Sequence, residues 1–487
     1  MKRRDFIKRS GMSALTVWGG SSFLFSGCHT EEDMIGESNW IVEGSFDRAL
    51  PLPSSLTGGG SLNAQFSTSE ILKGKVTTTL SYAEGQPGPV IRANKGETVN
   101  INLTNHLSEE TNIHWHGLVL PEDMDGHPRD VAAAGGSLPY SLPIIQRAGT
   151  YWYHPHPHGA TARQVFMGLA GLFIVSDEEE TRLNLPQGEY EIPLIIQDKH
   201  FEGNSLDYSP NEDEMMTGYL GEHVIVNGAY APFQNVAAGW YRLRMLNGST
   251  ARVYNLTFSH GIRMNIIGSD GGLLRSPQEV SSILLGPGER LDVLVDFSSV
   301  TIGSEVYLAS SKFSTYHPQG RQSFNLMKFK VERRSEFQFS LPSQLSDIPV
   351  LNDNNALMTR TFAISAMINA SGGSMGRHSI NGKTFETERI DETVQADSTE
   401  VWVFDNMAGD EIHPMHIHGV QFQILERIGG RNEVTPAETG WKDTVLVMPG
   451  EKVKVIMTFP QYTGVFVFHC HNLEHEDDGM MLNYRIV

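Results

Sequence analysis

Near the C-terminus, His469-Cys470-His471-Asn472-Leu473-Glu474-His475-Glu476-Asp477-Asp478-Gly479-Met480 gathers residues that bind metals. Read as a strand running into a loop, it sends His469 and His471 to one face and Cys470 to the other, because strand side chains alternate. His475 and Met480 can then swing in beside Cys470. One thiolate, imidazoles and a weak thioether are the ligand set of a blue-copper electron-transfer site. That set is one imidazole short here, while two imidazoles on the opposite face point elsewhere. The stretch therefore implies two metal sites back to back, joined through one cysteine, and requires histidines from elsewhere in the chain.

Three more clusters supply them: His114-Trp115-His116-Gly117, His154-Pro155-His156 and His413-Pro414-Met415-His416-Ile417-His418-Gly419. Each contains histidines two apart, which on a strand places both rings on one face, able to grip adjacent metals. A single His-x-His is weak evidence. Four, at matching positions of an internal repeat, are not accidental.

The repeat also shows what must position them. Thr98–Asn105, Trp240–Asn247 and Thr399–Asn406 share an alternating shape ending on Asn, the period of a half-buried strand. Pro287-Gly288-Glu289-Arg290 and Pro449-Gly450-Glu451-Lys452 each lead into an apolar strand. Gly149–Tyr153 leads to His154-Pro155-His156 and Gly464–Phe468 to His469-Cys470-His471. Gly303–Tyr307 in the middle copy leads only to Leu308-Ala309-Ser310. An all-β chain of three β-sandwich domains follows, bounded at Glu37–Ser176, Asp177–Glu332 and Arg333–Val487. Ser54–Ser61, Asn352–Asn355 and Ser371–Gly376 read as loops.

From about Glu37 onward, the four clusters together resemble the copper signatures of three-domain multicopper oxidases of the bacterial laccase or cuprous oxidase type. The resemblance implies three consecutive cupredoxin-like Greek-key domains and four copper ions. His413, Cys470 and His475, with Met480 axial, would hold a type 1 copper. His114 and His416 would hold type 2 copper, and His116, His154, His156, His418, His469 and His471 the type 3 pair. The middle domain, without ligands, would act as a spacer. Asp125 and Glu476 stand where similar bacterial proteins keep acids near the trinuclear cluster, and buried carboxylates can relay protons to dioxygen. The implied activity is one-electron oxidation of a reductant coupled to four-electron reduction of dioxygen to water. The cuprous oxidases it resembles carry a long Met-rich insertion in the third domain. Between Leu351 and Ile380 there are only Met358, Met367 and Met375, so the resemblance places phenols or aromatic amines ahead of cuprous ion as reductant. Met367 and Met375 could touch copper. Asp410, Glu411 and Asp443 could contact a cation or a phenol hydroxyl. Nine other histidines, among them His127, His158, His317 and His378, have no ligand pattern. The alternative is a copper-binding or copper-tolerance protein without turnover. A two-domain copper nitrite reductase is disfavoured by the third repeat.

The 487 residues allow roughly three domains at about 150 residues each, and the formal net charge of −20 gives no sign of nucleic-acid binding. Lys2-Arg3-Arg4-Asp5-Phe6-Ile7-Lys8 is a twin-arginine export pattern, followed by an apolar run from Met12 to Phe25 too short to span a membrane. Phe25-Ser26-Gly27-Cys28 resembles a lipobox, which implies cleavage after residue 27, a lipid anchor at Cys28, and a periplasmic or cell-envelope location for a monomer. Cys28 and Cys470 are the only cysteines. With Cys28 lipidated, Cys470 is left without a disulfide partner and metal ligation would protect it.

Overall fold

The computed structural model describes residues 44–368 and 374–487, those at 366–368 and 374–377 through their backbone alone. The twin-arginine pattern, the apolar run after it, Cys28, and the side chains of Met367 and Met375 lie outside the described residues. Among those described, strands dominate and the α-helices run only four to seven residues. None is long and apolar enough to cross a membrane.

Three cupredoxin-like sandwiches follow one another. In the first, Ser55–Thr57, Val90–Asn94, Gly171–Ser176 and Gly149–Tyr153 form one four-stranded sheet. Thr77–Ser81, Gly59–Ser69, Thr98–Asn105 and Ser137–Pro143 form the other. Leu62, Ile91, Ile101, Trp115 and Phe173 are buried in its core. The middle sandwich has a six- and a seven-stranded sheet over a core that includes Leu194, Leu243, Leu256, Val293 and Phe329. The third has two five-stranded sheets, and its core includes Phe362, Trp402, Phe404 and Phe468.

Three local expectations change. The strand Ser374–Ile380 begins inside Ser371–Gly376, expected as a loop. Ser54–Ser61, expected as a loop, holds the strand Ser55–Thr57 and the start of Gly59–Ser69. Its glycines serve a close approach: a Cβ on Gly59 would stand 2.2 Å from the Asn100 carbonyl oxygen of the partner strand. Arg48–Ala49, inside the span assigned to the first domain, pairs in parallel with Pro232–Phe233 of the middle sandwich.

The repeated strands also differ in burial. Thr98–Asn105 alternates as expected, but Trp240–Asn247 and Thr399–Asn406 are buried on both faces for most of their length. The polar face of Trp240–Asn247 is covered by partners rather than water. Arg242 donates to Glu180 and Asp292, and Arg244 to Glu180 and Glu191. Burial alone would raise the Glu180 carboxyl, but Arg244 and Arg242 overcome that and hold it down at about 2.

The sheets place the histidines. His413–Ile417 lies antiparallel to Gly464–Cys470, opposing His416 to His469 and Met415 to Cys470. In the first sandwich His114 and His154 form the equivalent antiparallel bridge. The first and third sandwiches are tied where Asp477 accepts the backbone N–H groups of Thr161 and Ala162, opening the helix Thr161–Met167.

Candidate metal centre

His114, His116, His154, His156, His416, His418, His469 and His471, half from each outer sandwich, converge on one point and are buried. The Nε2 atoms of His114 and His416 are 3.3 Å apart. Those of His156 and His469 are 3.2 Å apart, and those of His418 and His469 3.1 Å. His116 Nδ1 lies 3.4 Å from His154 Nε2. The His471 ring is 4.9 Å from that of His116 and 5.2 Å from that of His154, between centroids.

The outer nitrogens decide what the inner ones can do. Nδ1 of His114 bonds the Asp125 carbonyl, Nδ1 of His416 the Asp443 carbonyl, and Nδ1 of His154 the Pro155 carbonyl. A carbonyl only accepts, so each Nδ1 carries the proton and each Nε2 a lone pair. Lone pairs facing one another at 3.3 Å are satisfied by a cation between them. Burial pushes the imidazoles of His114, His116, His156, His416, His418 and His471 well below their ordinary range, which keeps the rings neutral and able to ligate. Neither ring nitrogen of His471 has a hydrogen-bond partner among the described residues, which suits a metal ligand.

The second group lies across Gly464–Cys470. Cys470 Sγ is 3.5 Å from His413 Nδ1 and 3.6 Å from His475 Nδ1, and the two nitrogens are 3.2 Å apart. Met480 is buried in the same core, its N–H donated to the His475 carbonyl and its carbonyl accepting from the Cys470 N–H. Burial pushes the Cys470 thiol far up, so binding of a thiolate-seeking metal must displace a proton. The Asn472 N–H points to Sγ at 3.4 Å. His475 Nε2 bonds the Met216 carbonyl at 2.9 Å, beneath the short helix Glu212–Thr217.

Both expected acids reach the eight-histidine group. Asp125 Oδ2 accepts from His418 Nδ1 at 2.7 Å, and burial, with Asp130 and Glu122 nearby, pushes its carboxyl well up. Gly126 lets the turn seat against the His114 strand, since a Cβ there would stand 2.0 Å from the Ile113 carbonyl oxygen. Glu476 Oε1 is 3.5 Å from His156 Nδ1 and Oε2 3.1 Å from His469 Nδ1. The two carboxylates thus flank the same trio, His156, His418 and His469.

Other expectations are redrawn. Asp443 is not on the side facing a reductant; it is fully buried, with Oδ1 3.0 Å from His116 Nε2. Asp410 is exposed, and Glu411 bonds His317 at 3.2 Å. His127 cross-links the outer sandwiches through Asn483 at 2.9 Å, and His158 is exposed. The middle domain is more than a spacer: a Cβ on Gly288 would stand 3.0 Å from the His471 ring. No spacing signalled His378. It is buried and stacks on His475 at 3.7 Å between centroids with 20° between planes, and its Nδ1 lies 3.4 Å from Asp478 Oδ2.

Family models described as multicopper oxidase match residues 63–180, 193–328 and 357–487. A multicopper oxidase, mco, of Staphylococcus haemolyticus is 35% identical over 429 residues, 87% of this chain and 88% of its own. A laccase of Bacillus stratosphericus is 31% identical over 469 residues, 84% of this chain and 91% of its own. The crystal structure of the McoA multicopper oxidase from the hyperthermophile Aquifex aeolicus has a TM-score of 0.83 at 35% identity, covering 90% of this chain and 99% of that one. The chain therefore belongs to the multicopper oxidase family, copper oxidoreductases that use dioxygen.

Proposed function

We propose that this chain holds four coppers and couples one-electron oxidation of a small reductant to four-electron reduction of dioxygen to water. His413, Cys470, His475 and Met480 would hold the type 1 ion. His114 and His416 hold the type 2 ion, and His116, His154, His156, His418, His469 and His471 the type 3 pair. The observation that carries this is the pair of converging groups on opposite sides of one strand end, one containing Cys470 and the other its two sequence neighbours His469 and His471. Copper, when bound, supplies one-electron acceptance at the first group and dioxygen reduction at the second.

The protein's residues do the rest. Cys470 is bonded through the backbone to His469 and His471, so electrons have a short covalent route between the groups. Each dioxygen consumes four electrons and four protons and yields two waters. Asp125 and Glu476 deliver protons from two sides of the His156, His418 and His469 trio. The sandwich interior keeps the histidines dry, so that charge arriving there is met by fixed protein dipoles rather than by bulk water.

The cover over His475 bears on the reductant. His475 is fully buried and His413 2% exposed, with Met216 and His378 over the His475 ring. Among the described residues, the Cys470 group offers only a sliver of His413 to solvent, which favours a small donor such as cuprous ion despite the scarcity of methionines between Leu351 and Ile380. Oxygen uptake with cuprous ion, ferrous ion, a substituted phenol and an aromatic amine should rank the metal ions first. A phenol turning over fastest would sink the small-donor reading. Copper bound with no uptake from any donor would favour a copper-binding protein without turnover.

The twin-arginine pattern and lipobox support export of the folded chain and anchoring through Cys28 on the periplasmic side. Mass spectrometry of the chain recovered from cell envelopes should find an acylated N-terminal Cys28. An unprocessed Met1 end would refute this.

A further inference from the structure

We infer that Arg290, in the middle domain, is a positioning residue for the eight-histidine group, acting through Asp443 on His116; this rests on the reading of His116 as a copper ligand.

His116 is turned differently from the rings around it. In His114, His154, His416 and His418 the outward nitrogen is Nδ1. In His116 it is Nε2, 3.0 Å from Asp443 Oδ1 and 3.1 Å from Thr444 Oγ1, while Nδ1 faces His154. The Asp443 carboxylate therefore sets which nitrogen keeps the proton and which offers the lone pair.

A carboxylate on a rotatable side chain needs fixing, and Arg290 fixes it. Its Nη1 donates to Asp443 Oδ1 at 2.7 Å and Nη2 to Oδ2 at 2.5 Å, a two-pronged pair. The other donors are also committed: Nε to the Thr150 carbonyl at 3.0 Å, Nη1 to that of Gly288 at 2.9 Å, and Nη2 to that of Asp270 at 3.1 Å. A guanidinium has five N–H donors, and all five are used. Thr150 belongs to the first sandwich, Gly288 and Asp270 to the middle one, and Asp443 to the third. Arg290 thus sets its carboxylate against all three at once, without exposure to water.

Two further features fit this role. A Cβ on Gly117, the residue after His116, would stand 2.4 Å from Asp443 Oδ2 and 2.7 Å from Arg290 Nη2, so the glycine leaves room for the pair. The Pro-Gly-Glu-cation repeat has also diverged. In the third sandwich its cation, Lys452, makes a partly exposed ion pair with Asp405. In the middle sandwich the cation is an arginine turned inward, and a lysine cannot supply a planar fork.

A purely structural ion pair is the competing account, and Arg242 provides the control. It is as buried as Arg290 and pairs with Asp292 and Glu180, with no contact to the histidines. The copper-loaded full chain and its Arg290→Lys, Arg290→Gln, Asp443→Asn and Arg242→Gln variants would be titrated with a chelator. Copper per chain, the EPR spectrum and the blue absorbance of the Cys470 group would be followed. Arg290→Lys and Asp443→Asn should release non-blue copper at chelator concentrations about 10–100-fold lower than wild type, with an altered EPR spectrum and the blue band intact. Wild-type retention and an unchanged spectrum in both, or equal release from Arg242→Gln, would overturn the inference. If Arg290→Gln does not fold, the charge-preserving lysine variant still decides. A wild-type chain that loads copper only at the blue site would instead remove the reading of His116 as a ligand.

Discussion

Cys470→Ser should bleach the blue absorbance and lower oxygen uptake by roughly 10⁴-fold or more, the scale of loss when a member of a catalytic unit is removed. Serine has nearly the same shape but is a hard, poorly ionising donor, so the thiolate bond to copper is lost while the core around it is kept. The site tolerates this sterically: Cys470 is fully buried, and its N–H remains bonded to the Met480 carbonyl. The eight-histidine group does not use Sγ, so non-blue copper per chain should stay near the wild-type value. Bound copper with collapsed turnover would separate electron transfer from metal loading. Turnover within tenfold of wild type would show that electrons do not pass through Cys470.

Asp125→Asn and Glu476→Gln should each lower steady-state oxygen uptake by about 10²–10⁴-fold, the usual contribution of a positioned proton donor. An asparagine oxygen can still accept from His418 Nδ1, where Asp125 Oδ2 now stands 2.7 Å away. The ligand ring therefore keeps its orientation, and only proton transfer is lost. Reduction of the blue site by the donor without oxygen should proceed at the wild-type rate, followed by stopped-flow absorbance. Because the two acids lie beside the same trio of histidines, the double variant should lose less than the product of the single losses. Full activity in both single variants would remove the acids from the mechanism.

The converging histidines were legible because their signal is local. The order of the repeat brought His114 opposite His154 and His416 opposite His469, although His114 and His154 meet at an isolated bridge and His116, His156, His418 and His471 lie outside the strands. Asp125 and Glu476 were legible only by resemblance, since nothing in their spacing says that Asp125 reaches His418. Asp443 was placed on the wrong side for a reason found in strand register. Thr444–Val447 runs antiparallel to His413–Ile417, pairing Val447 with His413 and Thr444 with His416. That register carries Asp443 to the deep end of the strand, away from His413. The role of Arg290 depends on contacts to residues 140 and 153 positions away, and the stacking of His378 on His475 spans nearly 100. Neither leaves a periodic trace. The buried faces of Trp240–Asn247 and Thr399–Asn406 were missed likewise, because an alternating pattern cannot show whether its polar side meets water or another sandwich.

The seam between the first and third sandwiches, with every histidine of the group buried in it and Asp477 fastening the helix Thr161–Met167 across it, has a kinetic consequence. A hydrated ion has no open way to the closed seam. A copper held there would have to enter before the seam closes or as its packing opens, and its release would be limited by the same opening. Metal exchange is then a clock for opening of the seam, slow however labile the individual copper–imidazole bonds are.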